Sequence, residues 1–207
     1  DAPICMAWHQ IFSRSANSEV ASVLATTKGI NVLSPTWFYL NDNKGNLMDL
    51  GSSDYVNYCH SQNVEVWASV NNLENQEVSS TEVLTHTSTR HNLVNQIVSL
   101  AIQYNLDGIN LDFEALNRES IGDAYIQFVR ELSIKCANNG IILSIDNYVP
   151  TAYTSFYNRR EQANYADYIV IMAYDEHTWG SEEVGSNASL PWVEQGVIDT
   201  IAEVPSE

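Results

Sequence analysis

The chain has 207 residues, 44% of them hydrophobic and 10% aromatic, enough for one large domain with a sizeable core and too apolar for a disordered chain. Nine basic against 26 acidic side chains leave a net charge of -17, which repels nucleic-acid phosphates and anionic lipid surfaces. The longest apolar runs, such as YIVIMAY at 168–174, fall far short of the ~20 residues of a membrane-spanning helix, so no membrane span and no nucleic-acid partner are expected.

The opening DAPICMAW carries no initiator Met, basic segment or long apolar run, the pattern expected after removal or trimming of a leader. Strands are predicted at 4–10, 31–40, 64–70, 108–114, 141–149 and 168–174, where β-branched and aromatic residues cluster. Helical periodicity fills the gaps: 17–27 with Ser18 as cap, 52–62, 88–104, 119–139 stopped by Gly140, a weaker segment at 157–165, and 191–203 with Pro191 in its first turn. Strand–helix alternation repeated in this way predicts a parallel sheet with helices outside it. No glycine-rich phosphate fingerprint follows the first strand, which favours a barrel over a dinucleotide-binding sheet.

Cys5, Cys59 and Cys136 are widely spaced and are expected to be buried free thiols, with one disulfide plus a spare thiol as the alternative. None of His9, His60, His86, His91 and His177 has ligand spacing to a second His or Cys, and no metal site is expected. Asn187-Ala-Ser189 matches the glycosylation acceptor pattern, which occurs often by chance.

The fourth predicted strand is unusual. Alternation puts Gly108, Asn110, Asp112 and Glu114 on one face and Ile109, Leu111 and Phe113 on the other. The apolar set suits packing under helices, so the polar set points into the barrel, with Glu114 nearest the carboxyl end where barrel enzymes place their chemistry. Carboxyls crowded on a buried face hold a proton to higher pH than usual, which makes an acid usable near neutrality. An edge strand with a solvated polar face is the alternative, and the buried character of the flanking strands disfavours it. Asp107 has the opposite parity and is expected to serve structure at the start of the strand. Tyr174 and Asp175 fall at the carboxyl end of the sixth strand, on the rim that Glu114 reaches.

Asp107-Gly-Ile-Asn110-Leu-Asp112-Phe-Glu114 resembles the DxxDxDxE signature of glycoside hydrolase family 18, and Met172-Ala-Tyr174-Asp175 resembles its MxYD motif. The wording of the second and sixth strands is similar to the bacterial branch with spore-cortex and cell-wall N-acetylglucosaminidases. The resemblance covers nearly the whole chain, taken as one catalytic domain over 1–207, and implies a (β/α)8 TIM-barrel type of fold. About six βα units are present here; the seventh and eighth of the family, with the aromatic that floors the sugar site, have no counterpart. Low activity and self-association through exposed sheet edges are therefore expected of these residues.

The resemblance implies retaining hydrolysis of β-1,4 linkages after N-acetylglucosamine in chitin or peptidoglycan, with the substrate's acetamide as nucleophile and no cofactor. On this resemblance Glu114 is the general acid and base, Asp112 orients the acetamide, and Tyr174 hydrogen-bonds its carbonyl. Asn110, Asp175 and Asp107 are supporting residues, and Trp37, Tyr148, Met172 and Trp8 are candidates to bind the sugar. A silent carbohydrate-binding relative is the alternative, and retention of Glu114 disfavours it. The resemblance also implies an extracellular, cell-wall or spore-associated place. Asn110 departs from the signature, which has Asp there. An amide can hydrogen-bond Asp112 but cannot share a proton with it. Asn71 and Asn72 also stand where glycines are common in the family.

Overall fold

A computed structural model describes residues 3–204. Six parallel strands form the main path of an eight-stranded sheet: β1 (Met6–His9), β2 (Val32–Pro35), β5 (Glu65–Asn71), β6 (Gly108–Asp112), β7 (Ile142–Tyr148) and β8 (Tyr168–Met172), in that spatial order. The remaining two are β3 (Phe38–Leu40) and β4 (Leu47–Asp49), an antiparallel hairpin that joins the sheet where β3 pairs with β5. The sheet curls into part of a barrel. Trp8 on β1 reaches across the concave side to Asn110 on β6, two intervening strands away.

Helices α1 (Val20–Thr26), α2 (Ser53–Ser61), α3 (Ser80–Thr85), α4 (Thr87–Tyr104), α5 (Arg118–Ile121), α6 (Ala124–Asn138), α7 (Arg159–Ala163) and α8 (Leu190–Glu203) occupy the connections. Between sheet and helices, Leu33, Val66, Ala68, Val70, Ile109, Leu111, Leu143 and Ile145 are fully buried in one continuous core. Phe113 stacks on Phe128 of α6, with ring centroids 5.4 Å apart. The predicted split of the fourth strand holds: Ile109, Leu111 and Phe113 face the helices, and Asn110 faces the barrel interior.

Several boundaries differ from the sequence reading. The segment 31–40 is two strands, because the chain turns at Thr36 and Trp37 and starts a hairpin whose turn is built by Asp42; its carboxylate accepts the Lys44 and Asn46 amides. Ser18 does not cap α1: its hydroxyl donates to the Ser15 carbonyl within a 3₁₀ turn over Arg14–Glu19. The helix expected over 119–139 is divided between α5 and α6 at Gly122, where φ is +50°. Gly140, at φ +66°, follows the end of α6. β6 ends at Asp112, so Glu114 lies just beyond the strand.

Cys59 and Cys136 are buried, whereas Cys5 is exposed, and all three are free. Among the described residues no helix is long and apolar enough to cross a membrane.

Candidate active site

The strand register stacks the interior side chains in layers. Trp67 pairs with Gly108, Ser69 with Asn110, Asn71 with Asp112, Asn110 with Ser144, and Asp146 with Val170. Continuing the β6–β7 register past Leu111↔Ile145 sets Asp112 beside Asp146. The lowest layer is filled by the Trp67 ring. A Cβ at Gly108 would lie 2.8 Å from that ring, so glycine is what lets the indole cross the barrel floor.

Asn110 is fully buried and all four of its hydrogen-bonding positions are used. Its Oδ1 accepts from Trp8 Nε1 at 2.9 Å and from Ser34 Oγ at 3.3 Å. Its Nδ2 donates to Ser144 Oγ at 3.0 Å and to Asp146 Oδ1 at 2.9 Å. None of these bonds goes to Asp112, so the bond that an amide could make there is not formed: the amide is saturated by Trp8 on β1, Ser34 on β2, and Ser144 and Asp146 on β7.

Asp112 and Asp146 are both held above the usual carboxylate range. Burial is the main cause for Asp112, with the Glu114 charge adding to it, and carries it to about 7. Burial and then the Asp112 charge carry Asp146 to about 8, against the Asn110 hydrogen bond. Each also keeps one buried oxygen without a partner, Oδ1 of Asp112 and Oδ2 of Asp146.

Glu114 is positioned by its main chain. Its amide donates to Asn72 Oδ1 at 2.8 Å, and its carbonyl accepts from Asn72 Nδ2 at 2.9 Å. The next two amides are pegged by tyrosine hydroxyls: Ala115 N donates to Tyr148 Oη and Leu116 N to Tyr157 Oη, each at 3.2 Å. Ala115 adopts φ +49°, a turn that a non-glycine residue holds only when its surroundings fix it. Together these contacts fix the main chain around Glu114, and the ionisation of the Tyr148 hydroxyl is pushed up by burial and by Glu114.

A cleft of about 210 Å³ opens beside these groups at the carboxyl ends of the strands, lined by Glu114, Tyr148, Met172, Tyr174, Asp175 and Trp192, among others. Tyr174 follows β8 and is half-exposed. Its hydroxyl is pushed up to about 12 by burial, then by the charges of Glu114, Asp112, Asp146 and Asp175. Asp175 turns the chain at φ +65° and accepts a hydrogen bond from Asn187 at 3.1 Å.

The other sequence candidates fall elsewhere. Asp107 sits at the opposite end of β6, where its carboxylate accepts the Val66 amide at 2.8 Å and meets His60 Nε2 at 2.8 Å. Trp37 is fully buried and is not a sugar-binding residue: its ring packs on Tyr55, Phe38 and Tyr104, and its Nε1 donates to Asn17 at 2.7 Å. Trp8 lies on the concave face, partly exposed, and Met172 is buried at the cleft wall. Sequence reading missed Asp146, Tyr157 and Trp192. The spacing Ser144-Ile-Asp146 on a predicted buried strand was the signal for Asp146, being the same alternation that marked β6. Among the described residues no group of three or more His, Cys, Asp or Glu side chains is arranged to hold a metal ion.

Asp112, Glu114 and Asp146 gather at the carboxyl ends of the parallel strands of an α/β partial barrel, beside a cleft that Glu114 lines. The sequence pattern of glycosyl hydrolases family 18 matches residues 18–204, and the chain belongs to that family. It is 22% identical to the glycosylase YvbX of Bacillus subtilis over 213 residues, covering 93% of this chain and 61% of YvbX. Its fold is that of a class V chitininase from Pseudomonas fluorescens Pf-5, with TM-score 0.84, 19% identity, 99% of this chain and 66% of the other. It is also that of the Bacillus cereus spore cortex-lytic enzyme SleL, with TM-score 0.81, 18% identity, 97% of this chain and 47% of SleL.

Proposed function

We propose that the protein is a retaining glycosidase that cleaves β-1,4 linkages after N-acetylglucosamine in chitin or peptidoglycan, using the substrate's acetamide as nucleophile. The observation that carries the reading is that Glu114 and Tyr174 line one cleft, with the charge of Asp112 acting on Tyr174 and the main chain of Glu114 fixed by Asn72. Family membership supports the glycosidase class, and the chitinase and cortex-lytic enzyme of like fold support an amino-sugar polymer.

In this reading the acetamide oxygen attacks the anomeric carbon while Glu114 gives its proton to the leaving glycosidic oxygen, producing a cyclic oxazolinium. Asp112, on the same strand face, orients the acetamide N–H and balances the positive charge. Tyr174 donates to the acetamide carbonyl. Glu114, now a carboxylate, takes a proton from the water that opens the ring, and the product keeps its configuration. The proposed setting is a cell wall, spore or extracellular polymer.

The test is turnover of a chromogenic chitobioside and of purified peptidoglycan by a form of the protein that contains residues 1–207, with the anomer of the first product read by NMR. Cleavage of at least one substrate with the β-anomer appearing first is expected. Failure on both, or first release of the α-anomer, contradicts the reading.

A further inference from the structure

The signature position occupied by Asn110 leaves Asp112 without a second carboxyl on its own strand, yet the neighbouring strand provides one. Asp146 has the parity of Ser144 and Tyr148, the interior face of β7, and the register places it beside Asp112. Asp146 is almost fully buried, and only one of its oxygens is used, Oδ1 accepting from Asn110 Nδ2 at 2.9 Å. Oδ2 has no partner, and neither does the buried Oδ1 of Asp112. A buried carboxyl whose second oxygen lacks any donor is the form in which a proton resides on that oxygen.

The surrounding groups leave that proton little alternative. Asp146 accepts from Asn110, and the ionisable groups coupled to it by charge are Asp112 and Glu114 from β6 and its extension, Tyr174 from beyond β8 and Tyr125 from α6, with Tyr157 coupled to Asp112 and Tyr148 to Glu114. Apart from the neutral Asn110 amide, these are acids or neutral hydroxyls. No cation is among the groups acting on Asp146, and Arg159, which acts on Tyr157, is spent on the Tyr148 and Val149 carbonyls, Thr154 and Glu203.

We propose that Asp146 is the positioning carboxyl of the Asp112 site, supplying from β7 the acid partner that Asn110 cannot be, so that Asp112 and Asp146 share one proton. The inference rests on the glycosidase reading for its role: when positive charge develops on the acetamide, the shared proton resides on Asp146 and Asp112 is left as the carboxylate facing the substrate. Asn110 then has a defined task, holding Asp146 Oδ1 by its N–H so that Oδ2 is the protonated oxygen.

The test is a carboxyl ¹³C NMR titration of the free protein, wild type against Asp146→Asn and Asn110→Asp/Asp146→Asn. In wild type, Asp112 should titrate in two coupled steps. In Asp146→Asn the higher step should vanish and the alkaline limb of the kcat profile should move by about one pH unit or more; the double variant should return both toward wild type. An Asp112 titration unchanged by Asp146→Asn, or a uniform loss of kcat at every pH with that titration intact, overturns the proposal. If Asp146→Asn fails to fold, Asp112→Asn with Asp146 observed carries the same test, because the coupling is reciprocal. Titration needs no substrate, so an inactive wild type would count against the glycosidase reading while the carboxyl pair is still decided.

Discussion

Asn72 holds Glu114 by both of its main-chain polar groups, accepting from the amide at 2.8 Å and donating to the carbonyl at 2.9 Å, while its Nδ2 also donates to Ser80 at 2.9 Å. A glycine, common at this place in the family, could do none of this. Asn72→Ala is expected to cost about 1–3 kcal/mol of stability in urea unfolding, since buried main-chain groups lose their partner. Turnover should fall by up to about 10²-fold, because a displacement near 1 Å of a proton donor has that effect. An unchanged kcat would mean that the turn at Ala115 and the two tyrosine hydroxyls hold Glu114 without it.

Tyr174 and Trp37 are both candidates by sequence, and the structure separates them. Tyr174→Phe removes a hydroxyl at the cleft and should lower kcat on the order of 10²-fold with little change in stability. Trp37→Phe removes the bond to Asn17 in the closed aromatic cluster and should cost about 1–3 kcal/mol in stability with KM unchanged. Paired unfolding and kinetic measurements check both; a KM effect at Trp37 would contradict its burial.

Stability should depend on pH in an uncommon direction. Asp112 and Asp146 hold protons more tightly in the folded chain than in the unfolded one, so between the ordinary carboxylate range near 4 and about 8 the folded state binds more protons. Stability from these two groups is then fully present below that range and is lost as pH rises through it, by at most about 1.4 kcal/mol per pH unit for each proton. Below that range the slope reverses, because Asp42, Glu131 and Glu176 are held low by their hydrogen bonds and by neighbours such as Arg90. Asp146→Asn should flatten the fall between pH 5 and about 8 in thermal or denaturant melts; a slope equal to wild type would contradict the elevation.

Self-association is expected at the last strand and helix. Tyr168 on β8 and Val197, Ile198 and Ile201 on α8 are exposed apolar side chains, and among the described residues β8 pairs with β7 alone. Sedimentation velocity should show concentration-dependent species that Ile198→Glu/Ile201→Glu reduces. A clean monomer throughout would contradict this.

Much of this site was written in period-two alternation. That pattern located β6, sent Ile109 and Leu111 to the helices, and aimed Asn110 and Asp112 inward, because a buried strand must sort its faces. The same alternation in Ser144-Ile-Asp146 was legible in kind but carries a single carboxyl, so it stands out only once β7 is seen beside β6. Trp37 was misplaced because an aromatic at a strand end reads alike whether it faces a rim or a core; its ring is enclosed by Tyr55, Phe38 and Tyr104, and the apolar run at 31–40 concealed the break between β2 and β3 beside it. Asn72 and Tyr157 act on main-chain groups of distant residues, and such pairings leave no local trace in sequence.

Glu114 is the proposed proton donor for cleavage of N-acetylglucosamine polymers. The most direct measurement compares wild type with Glu114→Gln for both chito-oligosaccharide binding and chitobioside or peptidoglycan turnover, in a form containing residues 1–207. Binding retained within a few-fold with turnover reduced by about 10²-fold or more is the expected result. Turnover by Glu114→Gln equal to wild type would contradict the account.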